Sequence, residues 1–340
     1  MAVATEQTNS NKKTEPKVLL ELQGIKKYFP IKGGILQRKQ GDVKAVENVS
    51  LQLFEGESLG VVGESGCGKS TLGRAILGLE EITAGKVFFR DKEIQDLKRK
   101  EKLEFVKQMQ MIFQDPFASL NPRQRIGHAL EEVFTMHTNM SAKEKRETVI
   151  SLLEEVGLKE EHFYKYPHEF SGGQRQRIGI ARAIALHPSF VICDEAVSAL
   201  DVSVQAQVLK LLKSLQQKYN LSYLFISHDL GVVRYFCDRV LVMYLGNTVE
   251  LGTVADLFER PLHPYTQALL SAIPRPSVNR SRTRVRLQGD LPNPANPPTG
   301  CPFHTRCPIA TERCSAEKPE WKEYEPNHFA ACHFAGQSIV

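Results

Sequence analysis

Gly63-Glu64-Ser65-Gly66-Cys67-Gly68-Lys69-Ser70 fits the pattern GxxxxGK[ST] at every position. The apolar run Ser58–Val62 leads into it, and a helix pattern through Leu72 and Ile76 leaves it. A strand, a glycine-rich turn and a helix start in that order make a phosphate-binding loop. Glycines let the backbone curl until its N–H groups converge, and the helix N-terminus adds positive potential. Lys69 then reaches the β- and γ-phosphates of a nucleotide, and Ser70 ligates Mg²⁺. Cys67 fills the loop as a small side chain with no redox role.

Such a loop needs an acid at the end of a second strand. The apolar run Phe190–Cys193 ends in Asp194, for the metal shell, and Glu195, which is placed to orient or deprotonate the attacking water. A third run, Tyr223–Ile226, ends in Ser227-His228-Asp229. Continuous apolar strands followed by helices predict an α/β fold whose sheet is largely parallel and covered on both faces. Ligands bind beyond the carboxyl ends of such strands, so the three polar clusters should meet at one site.

Residues 125–160 read as amphipathic helices, with Ala129, Leu130, Val133 and Phe134 followed by Val149, Ile150, Leu152, Leu153 and Val156. We place a helical subdomain at about 115–185, inserted into the α/β core. Ser171-Gly172-Gly173-Gln174 closes it: an N-cap serine, a glycine pair, then a helix that ends before Pro188. That is a second helix N-terminus suited to an anion, or simply a capped helix with no ligand.

At this point the chain resembles the ATP-binding subunits of ABC transporters, over about residues 20–260 and with the motifs in family order. The resemblance implies an ABC cassette with a RecA-like α/β core, an antiparallel β part and the inserted helices. Tyr28 then stacks on adenine, and Thr71 joins Gly63 through Ser70 at the phosphates. Gln114 is the Q-loop residue at Mg²⁺ or water that couples to the membrane subunit. Ser171, Gly172, Gly173 and Gln174 form the signature, Asp201 belongs to the D-loop and His228 is the switch histidine. It also implies that two ATPs are sandwiched head to tail between two such subunits, each ATP lying between one P-loop and the other signature. One departure stands out: Ala196 follows Glu195 where the family usually has Pro. With Glu195 intact, a hydrolytically competent half-site is still expected.

The chain has 340 residues, seven of them cysteines. Residues 261–300 are rich in Pro and Arg (Arg275, Arg280, Arg282, Arg284, Arg286, then Pro292, Pro294, Pro297, Pro298) and read as an extended linker. Cys301, Cys307, Cys314 and Cys332 lie beyond it, in a Cys-rich appendage at 301–340 with no CxxC pair. Four soft thiolates suit Zn²⁺ or an iron–sulfur cluster; four unligated thiols in a small packed segment is the alternative. Cys193 and Cys237 read as ordinary core residues.

This tail narrows the resemblance. Arg260 through Thr266, Gly300 through Cys314, and Asp115-Pro116 through Asn121-Pro122-Arg123 resemble dipeptide and oligopeptide importer ATPases, most of all the second ATPase of dipeptide-type importers. The resemblance implies a [4Fe–4S] cluster on the four cysteines ahead of zinc. It also implies a related ATPase as partner, two membrane permeases and an extracytoplasmic peptide-binding protein. Nickel or another small solute is the alternative cargo. A soluble non-transport ABC ATPase is the alternative role, but those usually carry two cassettes in one chain or long coiled coils.

Composition bounds the setting. No run approaches the roughly 18 apolar residues of a membrane helix, so any spanning falls to partners. Residues 1–17 are polar and read as a disordered tail without a signal peptide. The chain is therefore expected at the cytoplasmic face of the cell membrane as a peripheral subunit. With 44 Lys+Arg against 39 Asp+Glu the net charge is +5, too weak to argue for nucleic acid. The basic stretch 30–44, with Lys32, Gly33, Gly34, Arg38, Lys39 and Lys44, is expected to be a flexible loop, either solvated or touching lipid headgroups or the permeases.

Overall fold

The computed structural model describes residues 16–33, 38–115, 120–273, 287 and 289–339. The expectations for residues 1–15, Gly34, Pro116 and the arginines at 275–286 fall outside the described residues. In chain order the strands are β1 (Val18–Gly33), β2 (Arg38–Phe54), β3 (Ser58–Val62), β4 (Ala84–Phe89), β5 (Lys92–Glu93), β6 (Met109–Ile112), β7 (Phe190–Asp194), β8 (Ser222–Ile226), β9 (Arg239–Tyr244), β10 (Asn247–Thr253), β11 (Lys322–Glu325) and β12 (His328–Ala330). The α-helices are α1 (Lys69–Ile76), α2 (Arg99–Gln108), α3 (Ile126–His137), α4 (Ala142–Glu155), α5 (Gly172–Ile184), α6 (Val202–Tyr219), α7 (Leu230–Phe236), α8 (Val254–Glu259), α9 (Pro264–Ser271) and α10 (Glu312–Ala316).

Two sheets divide these strands. The smaller is antiparallel, in the order β2-β1-β4-β5; the larger has eight strands, in the order β11-β12-β10-β9-β3-β8-β7-β6. Pairing is parallel from β9 through β3, β8 and β7 to β6, and antiparallel from β9 outward through β10, β12 and β11. The apolar runs seen in the sequence are the central strands. Each is buried on both faces, as a covered parallel sheet requires.

Alternation along those strands divides the core in two. Leu59, Val61, Phe190, Ile192, Leu224 and Ile226 face the small sheet and Leu72 and Ile76 of α1. Val62, Val191, Cys193, Tyr223 and Phe225 face the other way, toward a core shared with α3, α4, α5 and α6. Each wholly buried Leu, Ile or Phe contributes roughly 1.5–3 kcal/mol. The P-loop thus leaves β3 between two packed layers.

Three local expectations differ from the structure. The basic stretch expected as a loop is, on both sides of residues 34–37, the far end of the β1–β2 hairpin, where Lys32 pairs with Lys39 and Gly33 with Arg38. The stretch expected as a linker contains helix α9, begun by His263 as N-cap and Pro264 at its first position. The tail is not a free appendage: β12 pairs with β10, and Cys301, Phe303 and Cys314 are buried in the main core.

Candidate functional site

The P-loop is shaped by backbone that only glycine tolerates. Gly63 has φ 151° and Gly68 has φ 101°. A Cβ on Gly63 would lie 2.2 Å from the Met243 carbonyl oxygen, and one on Gly68 2.0 Å from that of Ala45. Gly66 instead faces open space, and with Ser65 it is exposed at the mouth of the loop. Cys67 is buried beneath, and Lys69 begins α1 with its amine donating to the carbonyls of Gly63 (2.8 Å) and Glu64 (2.9 Å). Ser70 and Thr71 follow on the first turn, both half-buried.

The strand ends converge on this loop. Ser70 Oγ donates to Asp194 Oδ1 at 2.6 Å. Burial raises the Asp194 carboxyl above its usual range, against the Ser70 hydrogen bond and the Arg74 charge. Glu195 adopts φ 47°, and its N–H donates to the Ile226 carbonyl at 3.0 Å. The carboxylate takes a 2.9 Å hydrogen bond from Gln114 Nε2 and lies 3.4 Å from His228 Nδ1. Residues from the ends of β6, β7 and β8 are thereby joined around one acid. A hydroxyl and a carboxylate in contact offer the hard oxygen donors that Mg²⁺ takes.

Tyr28 lies on β1, and its hydroxyl donates to Glu47 Oε2 at 2.6 Å. Burial first, then the Glu47 bond, raises its ionisation above the usual phenol range. Lys44 Nζ stands 5.8 Å from the ring centroid. Glu47 was not anticipated, because nothing local in the sequence marks it as the partner of Tyr28.

Ser171 caps α5 in a reciprocal box: its hydroxyl accepts from Gln174 N–H (3.4 Å), and Gln174 Oε1 accepts from Ser171 N–H (3.0 Å). Gly172 is exposed and Gly173 half-buried; a Cβ on Gly173 would lie 2.4 Å from Val204 Cγ1. Asp201 is exposed at the N-cap of α6. Among the described residues, the hydrogen bonds of the signature stay within its own helix start and none joins it to this chain's P-loop.

Cys301, Cys307, Cys314 and Cys332 line one small cavity with Phe303 and His304. No three of their sulfurs lie within 4.8 Å of one another among the described residues, whereas tetrahedral zinc at about 2.3 Å per thiolate requires spacings of about 3.8 Å. Burial pushes Cys301 up to about 11, Cys332 up to about 12 and Cys307 upward. A different group, Asp256, Glu325 and His328, does cluster. Arg260 already spans both carboxylates there, at 2.8 and 2.9 Å.

Two family models match: ABC transporter over residues 46–198, and oligopeptide/dipeptide transporter, C-terminal region, over residues 249–314. The oligopeptide transport ATP-binding protein AppF of Bacillus subtilis is 55% identical over 318 residues, 93% of this chain and 97% of that protein. The dipeptide transport ATP-binding protein DppF of Haemophilus influenzae is 51% identical, over 96% of this chain and 98% of its own. The oligopeptide transport ATP-binding protein OppF of Escherichia coli is 54% identical, over 89% and 92%. Among solved structures, a dimeric post-hydrolysis ATP-binding cassette bound to ADP and Pi is similar with a TM-score of 0.62 at 28% identity, covering 69% of this chain and 99% of that one.

The [4Fe–4S] expectation for Cys301, Cys307, Cys314 and Cys332 does not hold: the relatives are named as transport ATP-binding proteins and the matching family models are those of an ABC transporter and its C-terminal region, none of them described by a cluster. Family models and near full-length relatives agree on the family: the chain belongs to the ABC transporter ATPases that carry the oligopeptide/dipeptide transporter C-terminal region.

Proposed function

We propose that this chain is the ATP-hydrolysing subunit that powers import of di- or oligopeptides through a membrane ABC transporter. The peptide cargo is supported by the relatives' names and by the match at 249–314. The observation that carries the catalytic part is the chain of contacts Gln114–Glu195–His228 beside the Ser70–Asp194 pair, all at the mouth of the P-loop. Lys69 and the P-loop N–H groups bind the nucleotide phosphates, and Tyr28 takes the adenine face. Ser70 and Asp194 would hold Mg²⁺, with Gln114 beside them, and the ion would supply charge neutralisation at the phosphates. Glu195 orients the attacking water and accepts its proton; His228 holds the Glu195 carboxylate and meets the γ-phosphate.

Ser171, Gly172, Gly173, Gln174 and Asp201 face a second ATPase, a related chain, across two sandwiched nucleotides. Their self-contained hydrogen bonds fit that role. An open groove of about 1730 Å³ runs from Leu79, Val106 and Phe113 past Gln114 to Met136. Apolar residues exposed beside the Q-loop glutamine suit a cytoplasmic segment of a permease. No described helix is long and apolar enough to cross a membrane, so the chain is held at the cytoplasmic face through its two permeases, which a peptide-binding protein serves from the other side.

Glu195→Gln tests the core of this reading. In the assembled transporter it should abolish ATP turnover, by a factor of about 100 or more, while retaining ATP. Sustained turnover would remove Glu195 from its role.

A further inference from the structure

Glu64, the second residue of the P-loop, is held from outside the loop. Its N–H donates to the Tyr265 hydroxyl at 2.8 Å. Its carboxylate oxygens lie 2.9 and 3.1 Å from Arg306 Nη1, which is also 3.5 Å from the Tyr244 hydroxyl. On the inner side, the Glu64 carbonyl accepts the Lys69 amine at 2.9 Å. One residue therefore connects the phosphate-binding lysine to a segment that follows it by more than 200 residues.

That segment is firmly seated. Phe303, fully buried, meets Tyr244 edge-on at 5.2 Å and Tyr265 at 5.3 Å. The 3₁₀ turn that begins there sets Arg306, whose side chain is 9% exposed and whose Nε is buried without a hydrogen-bond partner among the described residues. An exposed ion pair contributes little. An arginine this buried is different, because losing Glu64 would leave its charge desolvated and unpaired. The P-loop also needs the help: Ser65 and Gly66 at its tip are exposed, and ordering glycine-rich backbone when phosphate binds costs entropy.

We propose that Arg306 is a positioning residue for the ATP site, holding Glu64 and through it the first arm of the P-loop in its nucleotide-binding form. The C-terminal segment is then an intramolecular brace on the nucleotide site. The proposal rests on the P-loop being this chain's ATP site.

The test measures Mg·ATP affinity of the purified full chain with a fluorescent ATP analogue, with thermal melting alongside. Arg306→Gln should weaken binding about tenfold and Arg306→Lys less. In the assembled transporter Arg306→Gln should raise the KM for ATP and leave kcat nearly unchanged. The neutral double variant Glu64→Gln/Arg306→Gln leaves no unpaired buried charge, and should bind no more weakly than Arg306→Gln alone. It serves by itself if the single variant does not fold, and wild-type affinity in it overturns the proposal. So do additive losses, or a lower melting temperature with unchanged affinity. Lys69→Ala should lose binding; if it does while Arg306→Gln binds as wild type, the brace fails and the site stands. If Lys69→Ala binds normally, the ATP-site reading fails, and the brace with it.

Discussion

Gly63 shows how little latitude single positions have around the nucleotide. Its φ of 151° is one that L side chains rarely adopt, and any Cβ would strike the backbone of β9. Gly63→Ala should therefore cost on the order of 2–3 kcal/mol and distort the loop. Reduced melting temperature together with lost Mg·ATP binding checks this; unchanged binding would show that the loop adapts. Lys69, Ser70, Asp194 and Glu195 were legible in the sequence because each follows a short apolar run whose end marks the site. Arg306 was not. It lies 242 residues from Glu64, and an arginine between cysteines carries no local sign of its partner. Nor did the sequence indicate that Glu195 sits in the left-handed region, since that backbone is imposed by its neighbours.

Among the elements, α5 is the one whose start was read most completely, because a capping box is local chemistry. Ser171→Ala should cost about 1 kcal/mol through the lost cap and weaken ATP-dependent pairing with a second ATPase. Ser171→Arg should abolish that pairing while ATP still binds at the chain's own P-loop. Size-exclusion chromatography with and without ATP separates the two, and an Arg variant that still pairs would contradict the head-to-tail sandwich. The elements that escaped the sequence are short or polar. β11 and β12 have four and three residues, and β12 is a strand because β10 offers it an open edge. The far end of the β1–β2 hairpin carries lysines and glycines that favour a loop; pairing along 16- and 17-residue strands overrides them.

For the whole molecule, the decisive junction is where the tail meets the core. Glu250 on β10 accepts the N–H groups of Leu262 and His263, both at 2.8 Å, and contacts His328 Nε2 of β12 at 2.8 Å. His263 in turn caps α9 by accepting Tyr265 N–H at 3.0 Å. Burial lowers the His263 imidazole to about 3, from about 6.5 when unfolded. Between those values the unfolded chain binds a proton that the folded chain does not. Stability therefore rises with pH across that window and falls on acidification, by up to about 1.4 kcal/mol per pH unit from this group. His263→Gln should flatten the acid limb of stability measured by urea unfolding between pH 7 and 5. An equally steep limb in that variant would assign the proton uptake elsewhere.

The Arg306–Glu64 pair also sets an order of events during synthesis. The P-loop leaves the ribosome early, but the arginine that holds it is made 242 residues later. At 5–20 residues per second that interval is roughly 12–50 s. β3 itself waits for its neighbours β8 and β9, and after they are made the outer arm of the loop stays untethered until Arg306 is added. A nascent chain should accordingly bind nucleotide weakly until the segment around Arg306 has docked.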